Sequence, residues 1–576
     1  MKNILFLIML CLVQVAQAQQ SPQLEYIKIW NFLKYYHPDL ASSKVDADSL
    51  FLAHIESPDL AINSTVAVLT AELKTVPGTN PQATDKQEVL TKNQNFDWYL
   101  HHPALLKKYK QKLSSIYRNR HRDTAHFYVP SLSYTQDIPN ERNYKIKKDE
   151  NPPLGLRLLT LAKIKGAIDY LYPHKYLMAV DAEAQFDQLV HAAMACTNRL
   201  EFDRILAKAV SSMEDSHAFR FQEQLSSRRD IFNSGYYAPF GFHVTPDALL
   251  ITAIIDSARC AEAQIRVGDR IQQINGMAIS QVLNEKKSLL SVSNINGLHH
   301  HLADYQQNLI WPDSKPQKQL HIQQEGTSDL RIAHVSFLNP RDTLEAKKII
   351  AYIRQTKQQG QPASIFNDRY AYFKIDETFT MIDDVQDDLV DKHMQAILDT
   401  AAKKEAIIFD MRGYPDWGGF VYHYIYGFFG PRKNYFARYY QQNLANIGTF
   451  HYQDAAESYF PALTEKQSKH YPGKVFILVN AETLSASEWN TMNLQHIFPQ
   501  AVTVGEQTAG ADGDIKKLML PLGYSLVFTG NAVYYPNGQQ TQKTGIRIDR
   551  HVQRSDRDII QGRDVALEIV TQELMR

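Results

Sequence analysis

Residues 481–490 read AETLSASEWN and follow the apolar run Val475-Phe476-Ile477-Leu478-Val479. A buried strand thus opens into a turn holding two serines one residue apart, and then into a helix-like stretch. Hydroxyls in such a place do one of two things. Thr483, Ser485 or Ser487 can cap the helix by accepting the orphan N–H bonds of its first turn. Alternatively, one of them is a nucleophile, held where helix N–H groups and the positive end of the helix dipole steady a developing oxyanion. A serine hydroxyl attacks poorly until a base takes its proton, so the second reading requires a base from elsewhere. Histidine is the usual one near neutral pH.

Two more turns of similar character follow strand-like runs. "AIIFDMR" (406–412) leads into the turn Gly413-Tyr414-Pro415-Asp416-Trp417-Gly418-Gly419, and "AVTVGE" (501–506) leads into Gln507-Thr508-Ala509-Gly510-Ala511-Asp512-Gly513. Glycine lets backbone N–H groups come close to a reacting carbonyl, as an oxyanion hole requires. Helical stretches such as "DDLVDKHMQAILDTAAKKE" lie between the strands. The pattern predicts parallel strands with crossover helices, whose sites form at the carboxyl ends of the strands.

The elements upstream differ. Residues 19–230 are rich in Leu, Ala, Lys, Gln and Tyr at helical spacing, which predicts a mainly helical region. Within it "IWNFLKYYHP" (29–38) is echoed by "IKGAIDYLYP" (164–173), and Val45-Asp46 by Val180-Asp181, at one constant offset. Each copy is an aromatic helix stopped by Pro38 or Pro173. Such aromatic stripes belong to cores, so His37 is given no catalytic role. The polar, proline-punctuated stretch 131–153 reads as a loop or linker. From about 235 to 330 short β-type runs predict a β module, with the hairpin signal Asn275-Gly276. A polar segment around 311–365 precedes the βα region, which is taken as 331–576.

Bulk properties narrow the function. At 576 residues, two to four domains are expected. Lys+Arg and Asp+Glu both total 62, a formal net charge of +0, which argues against a nucleic-acid or acidic-membrane partner. Residues 1–18 combine Lys2, an apolar run from Ile4 to Val13 and Ala16-Gln17-Ala18, the pattern of a secretory signal cut after Ala18. The expected location is periplasmic or extracellular, with no membrane span once the signal is removed. Cys196 and Cys260 would then be either one disulfide or two buried thiols, and no Cys/His spacing suggests a metal or other cofactor.

Taken in order, these motifs resemble the family of C-terminal processing peptidases and tricorn-type core proteases, over roughly residues 200–570. The carriers are "SASE" after an apolar strand, the downstream "GEQTAG" and the closing "TGIRID…GRD" (544–564). Phe240-Gly241-Phe242, Val267-Gly268-Asp269-Arg270-Ile271 and Ile274-Asn275-Gly276 resemble a PDZ domain, which implies binding of extended peptide ends. The resemblance makes Ser485 the nucleophile, and the Ala486 N–H with that of Gly413 or Gly418 the oxyanion donors. Processing peptidases take their base from Thr-x-Gly-Lys. Here Thr508-Ala509-Gly510-Ala511 lacks that lysine, and Lys516 and Lys517 lie further along. The tricorn-type branch uses a histidine preceded by serine, which Met213-Glu214-Asp215-Ser216-His217 matches, making His217 the base and Ser216 its support. That branch also places a glutamate before the closing motif. This chain has Gln539, Gln540 and Gln542 there, leaving Gln542 as the orienting candidate, and Ile548 replaces the motif's proline.

The expected protein is therefore a multidomain α+β serine peptidase: a helical N-terminal region, a PDZ-like β domain and an α/β catalytic domain acting on peptides or unfolded protein tails. The missing lysine and glutamate keep open a catalytically weak or inactive peptide-binding protein on the same scaffold. An esterase is a further alternative, although Thr483-Leu484-Ser485-Ala486-Ser487 has no Gly-x-Ser-x-Gly elbow.

Overall fold

A computed structural model describes residues 20–74, 88–122, 125–132, 135–147, 149–327, 329–357, 364–430, 435–454 and 470–575. The expected signal segment lies outside them. The architecture is mixed helix and sheet. Among the described residues no helix is long and apolar enough to cross a membrane.

The sheet that carries the serine turn is built from β1 (Ser364–Phe366), β2 (Tyr370–Lys374), β3 (Ala406–Asp410), β4 (Lys474–Val479), β5 (Val502–Gly505) and β6 (Arg550–His551). Its spatial order follows the chain, β6-β5-β4-β3-β2-β1, and every neighbour pair is parallel except β1 with β2. Alternation along the strands divides the core in two. Ile407, Phe409, Val475 and Ile477 pack with Met394, Leu398, Trp489 and Met492 from the helices Val390–Ala401 and Ala486–Ile497. Ile408, Phe476 and Leu478 point the other way, onto Ala566, Val570 and Leu574 of the last helix, Val565–Met575. Both faces being covered explains why these strands read as unbroken apolar runs.

The N-terminal half is helical. The two echoed segments pack on each other: Asn31 of Pro22–Tyr36 donates to the Ala162 carbonyl of Leu154–Gly166 at 2.8 Å, and Tyr35 stacks on Tyr170 at 4.7 Å. Asp46 and Asp181 each stand at the N-cap of the following helix. The 131–153 stretch does more than link. Its Glu141 is buried between the two helices, 2.6 Å from the Lys163 ammonium and paired also with Lys34, while Lys163 reaches Asp48 at 2.8 Å. Removing one charge from such a network leaves its partners buried and unpaired. Lys163→Met is expected to lower stability by about 3–5 kcal/mol in urea unfolding.

An antiparallel sheet follows, ordered Phe240–Val244, Leu249–Ile254, Arg270–Ile274, Gln317–Gln323 and Leu330–Ser336, with Met277–Ala278 paired to Arg270–Ile274. It therefore continues past residue 330. The segment read as polar, 311–365, contains its last two strands and the helix Thr343–Lys357. Cys196 and Cys260 are separate buried free thiols.

Candidate active site

The three turns meet at the carboxyl ends of β3, β4 and β5. The Thr483 hydroxyl donates to the Met411 carbonyl at 2.9 Å and that of Ser487 to the Gly413 carbonyl at 2.5 Å, tying the β4 turn to the β3 turn. Ala509 N–H donates to Thr483 O at 3.0 Å and Ser485 N–H to Ala511 O at 3.1 Å, which fixes the β5 turn to both sides of the serine. Glu488, one helical turn on, is fully buried and accepts from the Thr508 hydroxyl and the Gly510 and Ala511 N–H groups. Burial raises its carboxyl despite these bonds.

Ser485 itself has φ 54° and ψ −116° and caps nothing with its side chain. A non-glycine residue in this region is strained by about 1–3 kcal/mol, and such strain persists where the surroundings enforce it. Ser487 and Thr483 have taken the structural hydroxyl roles, and Ser485 is left facing a cavity of about 740 Å³ lined also by Ser216, His217, Ala486 and Asp512. The Ala486 N–H, at the first helical position, has no intrahelical acceptor.

His217 sits on the short turn Ser216–Ala218, which packs against the strand Ser525–Thr529. Its Nδ1 is 2.8 Å from the Thr529 hydroxyl, and that hydroxyl donates to Asp215 Oδ1 at 2.9 Å. Thr529 has one proton and spends it on the carboxylate, so it must accept at the imidazole. Nδ1 therefore carries the hydrogen, and the Nε2 lone pair is free. Nε2 is buried without a partner among the described residues. Asp215 also accepts the His217 N–H at 3.2 Å and the Thr529 N–H at 2.6 Å. Burial would raise this carboxyl, but hydrogen bonds and charge from His217 and Thr529 outweigh it and hold it below the ordinary range. No hydrogen bond joins Ser485 Oγ to His217 in this conformation, although both line the cavity. Contacts of this kind often tighten only with substrate in place.

The remaining expected residues fall as follows. Ser216 donates to Ala509 O at 3.1 Å and accepts the Ser293 N–H at 2.9 Å, so it braces the β5 turn rather than the imidazole. The Gly413 N–H is committed to the Met411 carbonyl at 3.1 Å, and neither Gly413 nor Gly418 lines the cavity, whereas Tyr414 does. Gln542 is buried and donates to the Tyr172 hydroxyl at 3.5 Å, not to His217. The position of the expected lysine is the buried Ala511. Lys516 lines a different cavity, of about 420 Å³, where burial lowers its ammonium to about 8. Asp215 and Thr529, which orient His217, were not singled out from sequence. The Asp-Ser-His string held the first signal. The second comes from a strand 312 positions away. His301, stacked on Phe219 at 3.5 Å in the cavity wall, is held neutral by burial, which pulls it down to about 3. Among the described residues no group of three His, Cys, Asp or Glu is placed to hold a metal.

Residues 369–552 match the model of peptidase family S41. No curated protein matches the chain. Similar solved structures include mature CPAF, at 13% identity and TM-score 0.49, covering 72% of this chain and 96% of that one. The photosystem II D1 C-terminal processing protease is similar at 14% identity and TM-score 0.33, covering 71% and 98%. The tricorn protease is similar at 10% identity and TM-score 0.31, covering 73% and 37%.

Proposed function

We propose that the chain, whose residues 369–552 match the model of peptidase family S41, hydrolyses peptide bonds through an acyl-enzyme, with Ser485 as nucleophile and His217 as base. The observation that carries this is the strained Ser485 opening into the same cavity as an imidazole whose Nδ1 is tied through Thr529 to Asp215. His217 Nε2 takes the Ser485 proton as Oγ attacks the carbonyl carbon, and Asp215 steadies the imidazolium. The Ala486 N–H and an N–H of the 413–419 turn receive the oxyanion. Collapse passes the proton to the leaving amine, and water then releases the acyl group by the same route in reverse. The sheet beginning at Phe240–Val244 is PDZ-like in this reading, with that strand at its edge, where an extended peptide tail can add. The first 18 residues would direct the chain across the inner membrane to the periplasm or beyond.

A fluorophosphonate probe tests the nucleophile: it should label the wild type and not Ser485→Ala, and turnover of peptides rather than simple esters should follow. Labelling that survives the substitution would end the assignment. Thr529→Val keeps the shape of the side chain but removes the bridging hydroxyl, leaving only the direct 3.5 Å approach of His217 Nδ1 to Asp215 Oδ1, so kcat should fall about 10²-fold with KM little changed. A second reading, a peptide receptor of low activity, draws on the Gly413 N–H being turned to Met411. It predicts peptide binding without probe labelling.

A further inference from the structure

Asp512 follows Ala511, the residue whose carbonyl holds the Ser485 N–H, and lines the same cavity. It is 1% exposed. Its Oδ1 accepts the Gly513 N–H at 2.7 Å, while Oδ2 has no hydrogen-bond partner and the carboxyl no ion pair among the described residues. Position 513 demands glycine, since φ is 109° and a Cβ would lie 2.4 Å from the Asn531 carbonyl oxygen, so the carboxyl is rigidly placed. A buried carboxyl with an idle oxygen is costly unless something completes it. The mechanism above does not use it.

The surroundings indicate what completes it. The cavity lining holds four acidic side chains, Glu223, Asp304, Asp512 and Asp514, against the single guanidinium of Arg220, which pairs with Glu223 at 3.1 Å. Its walls include Trp489, Tyr414, Tyr422 and Tyr439. Trp489 is fixed edge-on to Phe436 and Tyr439, at 4.6 and 5.9 Å. Aromatic faces and an acidic floor favour a cationic group and disfavour a carboxylate. Resting on the peptidase reading of Ser485, we propose that Asp512 is a specificity-determining residue that selects a lysine or arginine side chain of the substrate beside the scissile bond.

Burial and the nearby Glu488 hold the empty Asp512 carboxyl well above its ordinary range. Binding of a cation then breaks the carboxyl O–H bond, sends the proton to solvent and leaves a carboxylate paired with the arriving ammonium or guanidinium.

Two experiments test this, one without catalysis. In Ser485→Ala protein, benzamidine should bind about 10²-fold more tightly than neutral benzamide, and calorimetry in buffers of different ionisation enthalpy should report a released proton. Adding Asp512→Asn should abolish both the preference and the release. In wild type, a peptidyl phosphonate with lysine at the position before the scissile bond should label Ser485 about 10²-fold faster than its norleucine counterpart, and Asp512→Asn should bring the ratio near one. Equal benzamidine and benzamide binding, or a preference that Asp512→Asn leaves intact, overturns the proposal. Should Asp512→Asn fail to fold, the wild-type proton release decides, and its absence overturns the proposal. The two readings separate cleanly. Amidine discrimination with no phosphonate or fluorophosphonate labelling removes the nucleophile and keeps the cation site. Labelling without preference does the reverse.

Discussion

Ser485→Ala is expected to lower peptide hydrolysis by about 10⁴-fold or more, with the substrate still bound. The residue makes no side-chain cap, and the structural hydroxyl contacts at the turn are those of Thr483 and Ser487. Stability should therefore change little in the alanine variant. Glycine at the same position sharpens the test. At φ 54° and ψ −116° the serine Cβ is strained, and glycine adopts this backbone at no steric cost. After the added chain entropy of glycine is subtracted, Ser485→Gly should be about 1 kcal/mol more stable than wild type while equally inactive. Thermal unfolding of the three proteins checks this. A residue that costs stability and carries the activity is one kept for chemistry. If Ser485→Ala retained wild-type turnover, the acyl-enzyme route would be lost, and with it the role of His217.

Much of this arrangement was legible because it is written locally. The run Val475–Val479, the two serines after it and the glycine turns at 413–419 and 505–513 each announce a strand end. The sheet then places them together in chain order. What was hidden depends on packing between distant segments. Asp215 stood in plain sight beside Ser216 and His217, yet locally it is only the N-cap of a short turn. Its second function exists because the strand Ser525–Thr529 brings a hydroxyl between carboxylate and imidazole. Gln542 was the candidate for that place on sequence order alone, and it lies against Tyr172 instead. The Gly413 N–H is lost to Met411 through a backbone twist that composition does not encode. The strand Gln317–Gln323 was obscured by Lys318, which occupies an inward position with Leu320 and Ile322. Its ammonium is satisfied by Asp313 at 2.5 Å, so a charged residue stands where alternation calls for an apolar one.

Asp215→Asn is expected to cost about 10³-fold in kcat with KM nearly unchanged. The carboxylate accepts from the His217 and Thr529 N–H groups and from the Thr529 hydroxyl, with both oxygens engaged. An asparagine offers one acceptor and one NH2. In one orientation the NH2 opposes the Thr529 N–H; in the other it opposes the Thr529 hydroxyl. The first leaves the hydroxyl its acceptor but sets two donors against each other; the second makes the hydroxyl an acceptor of the NH2, so that it donates to Nδ1 and the tautomer reverses. In neither does a negative charge remain to stabilise the imidazolium. The same substitution has a stability signature with a definite sign. Asp215 is held below its ordinary range in the folded protein, so its contribution is complete above the unfolded value near 3.9 and vanishes as pH falls through the folded value. The difference in melting temperature between wild type and Asp215→Asn should be full at pH 7 and shrink as the pH is lowered below 4. A difference unchanged at acid pH would mean that the carboxylate is not the partner of His217 and Thr529, and the base of the proposed mechanism would have to be sought elsewhere.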